Sequence, residues 1–144
     1  MEEAISINNI RIHQHARDWQ EAIEIGGDIL LEQGEITGSY IEEMIKSVKT
    51  LGPYIVLMPY LALAHAAPGS YVRKPDISLA IFDNDIRFGS KNDPVRVLLC
   101  LACQDPEDHI ERIRQISRKL MEPDIVSALC SCKSVEDAYN LMNR

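Results

Sequence analysis

Two segments of this chain, Ile77 to Phe82 and Val95 to Cys103, consist almost wholly of apolar side chains, with Ser78 and Arg96 as their single polar residues. A strand that is apolar on both of its alternating faces must be covered on both sides. Such strands belong at the centre of a sheet with helices packed above and below. The rest of the chain supplies those helices. Asp18 to Gln33 carries Trp19, Ala22, Ile23, Ile29 and Leu30 at helical spacing. Gly26-Gly27 weakens its middle, or admits close packing of another backbone, and Gly34 ends it. Thr37 or Ser39 caps a second helix with Ile41, Met44, Ile45 and Val48 on one face, and Gly52-Pro53 stops it.

The remaining punctuation predicts the other elements. Ser6 to His13 alternates like a short opening strand, and Tyr54 to Met58 reads as another. Asp83-Asn84-Asp85 reads as a turn into a short return strand, Ile86 to Phe88, followed by a loop from Ser90 to Pro94. Asp105-Pro106 opens a helix with the stripe Ile110, Ile113, Ile116 and Leu120. Pro123 starts a shorter helix to about Cys132, and Ser134 with Asp137 forms a capping box for a third. The expected architecture is α/β (α+β): a mixed β-sheet flanked by helices on both faces, in a single domain spanning residues 1–144.

A chain of 144 residues can bury a full core without disulfides or metals. Its net charge of −7 argues against nucleic acid and against an anionic membrane surface, and permits a basic protein partner. No apolar run approaches the roughly 20 residues that span a bilayer. The acidic start, Met-Glu-Glu-Ala-Ile-Ser-Ile, lacks the order of a signal peptide, so a cytoplasmic protein is expected. Cys100 and Cys103 form a Cys-x-x-Cys pair, but positions i and i+3 of a strand point to opposite faces and do not converge on one metal. Cys130-x-Cys132 lies near a helix end. The cysteines are expected as reduced core residues, with no metal.

An ionisable ring closes one apolar run: Gly52-Pro-Tyr-Ile-Val-Leu-Met-Pro-Tyr-Leu-Ala-Leu-Ala-His65-Ala-Ala-Pro68. Small neighbours leave room for another molecule to reach His65, and flanking prolines fix the backbone that presents it. A core histidine hydrogen-bonded through both nitrogens is the alternative. His109 follows Asp105-Pro-Glu-Asp108 in the first turn of its helix, with Ile113 and Ile116 at i+4 and i+7, which places it on the helix's inward edge. That helix begins directly after a buried strand, where unpaired N–H groups and the positive dipole end favour an anion. His109 either donates to a phosphoryl oxygen there or caps a neighbouring loop. His13-x-His15 at a strand end reads as exposed polarity. There is no Walker phosphate loop, no Gly-x-Ser-x-Gly elbow and no metal-ligand cluster. A histidine phosphoryl carrier needs little more than a neutral imidazole, room for in-line attack and donors around the phosphate.

The segment ending at His65, together with Phe88-Gly89, Asn92-Asp93-Pro94-Val95 and the His109 helix, resembles the enzyme IIA proteins of the bacterial sugar phosphotransferase system. The likeness is to the mannitol/fructose class, closest to its ascorbate-type branch, and covers roughly the whole chain. It implies the mannitol-type enzyme IIA fold. It implies that His65 accepts a phosphoryl group from phospho-HPr and passes it to a cysteine of enzyme IIB, which serves the membrane permease IIC. It implies that His109 helps to hold the phosphate, and that no metal or nucleotide cofactor takes part. Relatives commonly read His-Ala-Arg-Pro where this chain reads His65-Ala66-Ala67-Pro68, and Arg73 or Lys74 is a candidate substitute for the missing cation. Lys49 and Lys91 read as solvated surface. A regulatory binding module of the same fold, whose phosphorylation state another protein reads, is the second reading. A plain structural or interaction protein without phosphate chemistry is the third. The segments around Tyr60 and Tyr71 are expected to be exposed and to serve a partner or a twin subunit in a homodimer.

Overall fold

The computed structural model describes residues 3–144, with the side chain of His109 outside the description. Five strands form one mixed sheet: β1 (Ile10–Gln14), β2 (Val56–Met58), β3 (Tyr60–Ala64), β4 (Asp76–Ile86) and β5 (Val95–Ala102). Their order across the sheet is β1-β4-β5-β3-β2. β1 runs parallel to β4 and β3 parallel to β5, whereas β4–β5 and β2–β3 are antiparallel. The two apolar segments thus occupy interior positions, as their composition requires.

Helices α1 (Trp19–Glu32) and α2 (Gly38–Leu51) cover one face, and α3 (Pro106–Leu120), α4 (Ile125–Cys130) and α5 (Val135–Asn143) the other. Two apolar layers result. One joins Ile23, Leu30, Met44, Ala64, Leu98 and Cys100. The other joins Leu63, Leu99, Cys103, Ile116, Leu129 and Met142. Cys100 and Cys103 fall in different layers, so the two thiols lie on opposite sides of the sheet. Burial pushes the Cys100 thiol up to about 12. Burial, followed by the charge of Asp108, does the same to Cys103. Cys132 is buried too, and Cys130 is half-buried; all four thiols are free.

The glycine pair in α1 has a packing role. A Cβ on Gly26 would lie 2.7 Å from the Cys100 Sγ, and one on Gly27 2.7 Å from Ile41 Cγ1. Helix and sheet approach so closely that the buried Ser78 hydroxyl donates to the Gly26 carbonyl at 2.8 Å. Gly34 (φ 74°) then closes α1 with paired bonds, Gly34 N–H to Leu31 O and Glu35 N–H to Leu30 O. This is the Schellman arrangement, and it fixes Glu35 rigidly beyond the helix end.

Several local expectations are corrected. The opening strand starts later, at Ile10, because Ile7–Asn9 form a 3-10 turn capped by Ser6. Asp83-Asn84-Asp85 is no turn: β4 continues through it to Ile86, with a bulge in its pairing to β5 between Ile81 and Ile86. Each polar residue there has a partner: Asp83 meets His13 Nδ1, Asn84 Nδ2 donates to Ala16 O, and Arg96 Nε donates to Asp85. The reversal comes after Phe88, where the Asp93 carboxylate accepts from the N–H groups of Phe88, Gly89 and Ser90. Ile86 belongs to β4 itself, so the separate return strand dissolves. Tyr54 and Ile55 precede a strand of only three residues, and Pro59 separates β2 from β3. Thr37 caps α2 by position without a side-chain bond. In α4 the cap is Asp124 rather than a leading Pro123. At α5 the Ser134 hydroxyl accepts from Asp137 N–H, but the Asp137 carboxylate accepts from Lys133 N–H rather than returning to Ser134. Ile110, expected in the α3 stripe, is 53 % exposed; Ile116 and Leu120 carry that face.

Candidate functional site

The parallel pairing of β3 with β5, in which Ala64 is the partner of Cys100, brings the carboxyl ends of both strands to one rim of the sheet. His65 leaves β3 at that rim, and the chain leaving β5 enters α3 there. Asp105 caps α3, its side chain accepting from Asp108 N–H at 2.8 Å, and Pro106 stands at the helix start. The backbone therefore delivers His65 and the first turn of α3, which holds His109, to the same rim. Open sheets bind ligands at such strand ends. The expected inward position of the His109 side chain lies outside the described residues.

The His65 ring is half-buried, and its Nδ1 lies 2.9 Å from the Leu63 carbonyl oxygen. A carbonyl only accepts, so this nitrogen carries the proton, and the lone pair of the neutral ring is on Nε2. Tyr54 stands edge-on to the imidazole, with ring centroids 5.5 Å apart and an interplanar angle of 87°. Such a tilted pair helps to fix the orientation of the ring.

The backbone after the ring is pinned by a residue that sequence reasoning passed over. Tyr40, 1 % exposed on α2, donates its hydroxyl to Leu101 O at 2.7 Å and accepts from Ala66 N–H at 3.1 Å. Burial raises its phenol well above the ordinary range, so it stays a neutral donor. The loop continues under further ties. Tyr71 O accepts from Thr37 N–H, Val72 bridges to Ile36, and Gln104 Nε2 donates to Val72 O and Arg73 O. The backbone N–H groups of Arg73 and Lys74 both donate to the Glu35 carbonyl, at 2.7 and 3.1 Å.

Ala67, at the position where the resembled family carries arginine, is exposed. Arg73 and Lys74 are exposed as well, and Lys74 lines a cavity of about 440 Å³ around Glu35, with Asn9, Asp76 and Arg112. Arg112 also lies 3.6 Å from Asp108, in the first turn of α3. His13 pairs with Asp83 on the exposed surface and is left-handed in backbone (φ 56°); the His13-x-His15 pair stands apart from the His65 loop. Tyr54, against the His65 ring, and Tyr71, in the loop that follows it, are exposed; Leu57, Met58 and Tyr60 are exposed too, toward the opposite end of β3, where Tyr60 pairs with Val95, and the exposure of Tyr60 and Tyr71 is as expected. No helix among the described residues is long and apolar enough to cross a membrane.

Residues 3–144 match the family described as "Phosphoenolpyruvate-dependent sugar phosphotransferase system, EIIA 2". The chain is 30% identical over 137 residues to the mannitol-specific cryptic phosphotransferase enzyme IIA component of Escherichia coli (strain K12), covering 95% of this chain and 93% of that protein. It is 32% identical over 139 residues to the ascorbate-specific EIIA component of Salmonella choleraesuis (strain SC-B67), covering 95% and 90%. The solution structure of the E. coli mannitol-specific cryptic enzyme IIA superposes with a TM-score of 0.88 at 29% identity, over 96% of this chain and 95% of that one. The mixed five-stranded sheet, its two helical layers and the full-length match place this chain in the EIIA 2 family of the phosphoenolpyruvate-dependent sugar phosphotransferase system, as a sugar-phosphotransferase EIIA component.

Proposed function

We propose that this protein is a cytoplasmic phosphohistidine carrier that accepts a phosphoryl group from phospho-HPr on His65 and passes it to a cysteine of enzyme IIB. The observation that carries this reading is the bond from His65 Nδ1–H to the Leu63 carbonyl at the end of β3. It leaves the lone pair on Nε2, so Nε2 is the nucleophile. In the first transfer the Nε2 lone pair forms a P–N bond as the donor's P–N bond breaks, and that electron pair returns to the donor imidazole. In the second, an acceptor thiolate attacks phosphorus, a P–S bond forms, and the electrons return to Nε2. Throughout, the Nδ1–H bond to a fixed carbonyl stabilises the positive charge of the phosphorylated ring.

His109 is assigned the supporting role of holding the phosphoryl oxygens, together with N–H groups of the first turn of α3. Support comes from the shared rim of β3 and β5. Exposed Tyr54 beside the ring and Tyr71 in the loop after it suit protein partners, which use such residues in their contact cores. A complex of the E. coli mannitol IIA with phosphorylated IIB has been described; at 23% identity it stands to this chain as a likeness of fold. The sugar served follows from the permease, and both mannitol- and ascorbate-specific components are similar to this chain.

The test is mass spectrometry after incubation with enzyme I, HPr and phosphoenolpyruvate. One acid-labile phosphoryl group in the wild type and none in His65→Ala is the expected result. Absence of phosphorylation in the wild type with its cognate HPr overturns the carrier reading.

A further inference from the structure

The amino ends of β4 and β1 lie at the same rim as His65. Asn9 precedes β1, and its Nδ2 donates to Asp76 Oδ2 at 2.9 Å, while Asp76 Oδ1 accepts from Ile77 N–H at 2.8 Å. Against Asp76 stands the carboxyl group of Glu35, only 6 % exposed. Its Oε2 is buried with no hydrogen-bond partner among the described residues. Two ionised carboxylates in contact offer acceptors and no donor, and one proton on Glu35 supplies the missing donor. Burial first, and then the hydrogen bond and charge of Asp76, push the Glu35 carboxyl up to about 8. Lys74 from the His65 loop and Arg112 from α3 oppose this, without cancelling it. Among the described residues, Glu3, from the amino-terminal segment, is the remaining charged group around the cavity.

What makes this pair matter is the other end of the same residue. The backbone carbonyl of Glu35 accepts the N–H groups of both Arg73 and Lys74, at the end of the loop from His65 to β4, and the Schellman closure of α1 leaves Glu35 little freedom to adjust. We propose that Glu35 is a positioning residue for the His65 loop: its protonated side chain donates to Asp76 and so holds the carbonyl on which Arg73 and Lys74 hang. Loss of that proton sets two carboxylates against each other between the α1–α2 turn and the start of β4, and the loop loosens. The consequence for phosphoryl transfer rests on the carrier reading above; the structural coupling does not.

Carbon-detected NMR of the wild type over a pH series reads the coupling directly. The Glu35 side-chain carboxyl carbon is expected to titrate near 8, and the Glu35 backbone carbonyl carbon to shift with the same midpoint. In Glu35→Gln, which keeps a donor toward Asp76 and cannot ionise, the backbone shift is absent. A Glu35 carboxyl that titrates in the ordinary carboxylate range, or a backbone carbonyl indifferent to it, overturns the proposal. In the transfer assay the wild-type rate falls by up to about tenfold between about pH 7 and about pH 9, since the protonated fraction falls that far, and Glu35→Gln removes the fall. A fall of equal size in Glu35→Gln also overturns it. If no phosphorylation occurs at any pH, the carrier reading fails while the carbon titrations still decide the coupling.

Discussion

At the residue scale, three side chains set the geometry of the rim: His65, Tyr40 and Tyr54. Only His65 was legible, because an ionisable ring at the end of an apolar run is conspicuous in a sequence. Tyr40 looked like any aromatic on an amphipathic helix; its partners Ala66 and Leu101 lie 26 and 61 residues away, and no local pattern joins them. Removing its hydroxyl by Tyr40→Phe leaves Ala66 N–H and Leu101 O without this partner in a buried setting. The expected cost is about 1–3 kcal/mol in denaturant unfolding, with slower phosphoryl acceptance because Ala66 adjoins the ring. A variant as stable and as fast as the wild type would reduce Tyr40 to a packing residue. Tyr54→Ala removes the edge-on ring and is expected to lower the acceptance rate while leaving phosphorylation of His65 detectable by mass spectrometry.

At the element scale, the two interior strands and most helix ends followed from pattern and cap residues. The errors fell where side-chain partners override local propensity. The Asp83-Asn84-Asp85 stretch carries the composition of a turn, yet each residue is held by a distant partner and the strand continues. The true reversal depends on one carboxylate, Asp93, serving three backbone donors. Gly26-Gly27 is the converse case, in which a weakness in helix propensity proves to be a contact with the sheet. Alanine in a helix is intrinsically better than glycine by about 1 kcal/mol. At Gly26 the added methyl would meet Cys100 and Leu98. The overpacking cost of about 1–3 kcal/mol is expected to prevail, so Gly26→Ala lowers the thermal midpoint. A raised midpoint would show that α1 can lift away from the sheet without loss.

At the scale of the whole molecule, a shared sheet separates the layer that holds Ala64 and Ala66 from the one that holds Leu129. Leu129→Ala is expected to cost about 2–5 kcal/mol while unfolding remains a single transition, and to spare phosphoryl acceptance below the melting range. A matching loss of rate in the folded variant would mean that the layers communicate through the sheet. The Glu35 carboxyl also has a global signature. Its ordinary value is 4.5 and its folded value about 8, so between these the folded state binds more protons than the unfolded one. Stability therefore falls as pH rises through that window, and levels off above it. Relative to Glu35→Gln, the wild-type melting temperature should drift down from about pH 4.5 to about pH 8 and then run parallel. None of this could be read from the chain, because the carboxyl pair joins residues 35 and 76 across the fold.

The bond between His65 and the Leu63 carbonyl has a kinetic corollary. If His65 carries the phosphoryl group as proposed, a ring whose Nδ1 is committed to its own backbone bonds phosphorus through Nε2 alone, so donor and acceptor must use the same doorway in turn. No ternary complex with both partners reacting at this ring can form, and each partner blocks the other. Turnover then follows ping-pong kinetics with mutual inhibition at high partner concentration, and favours brief encounters over tight ones.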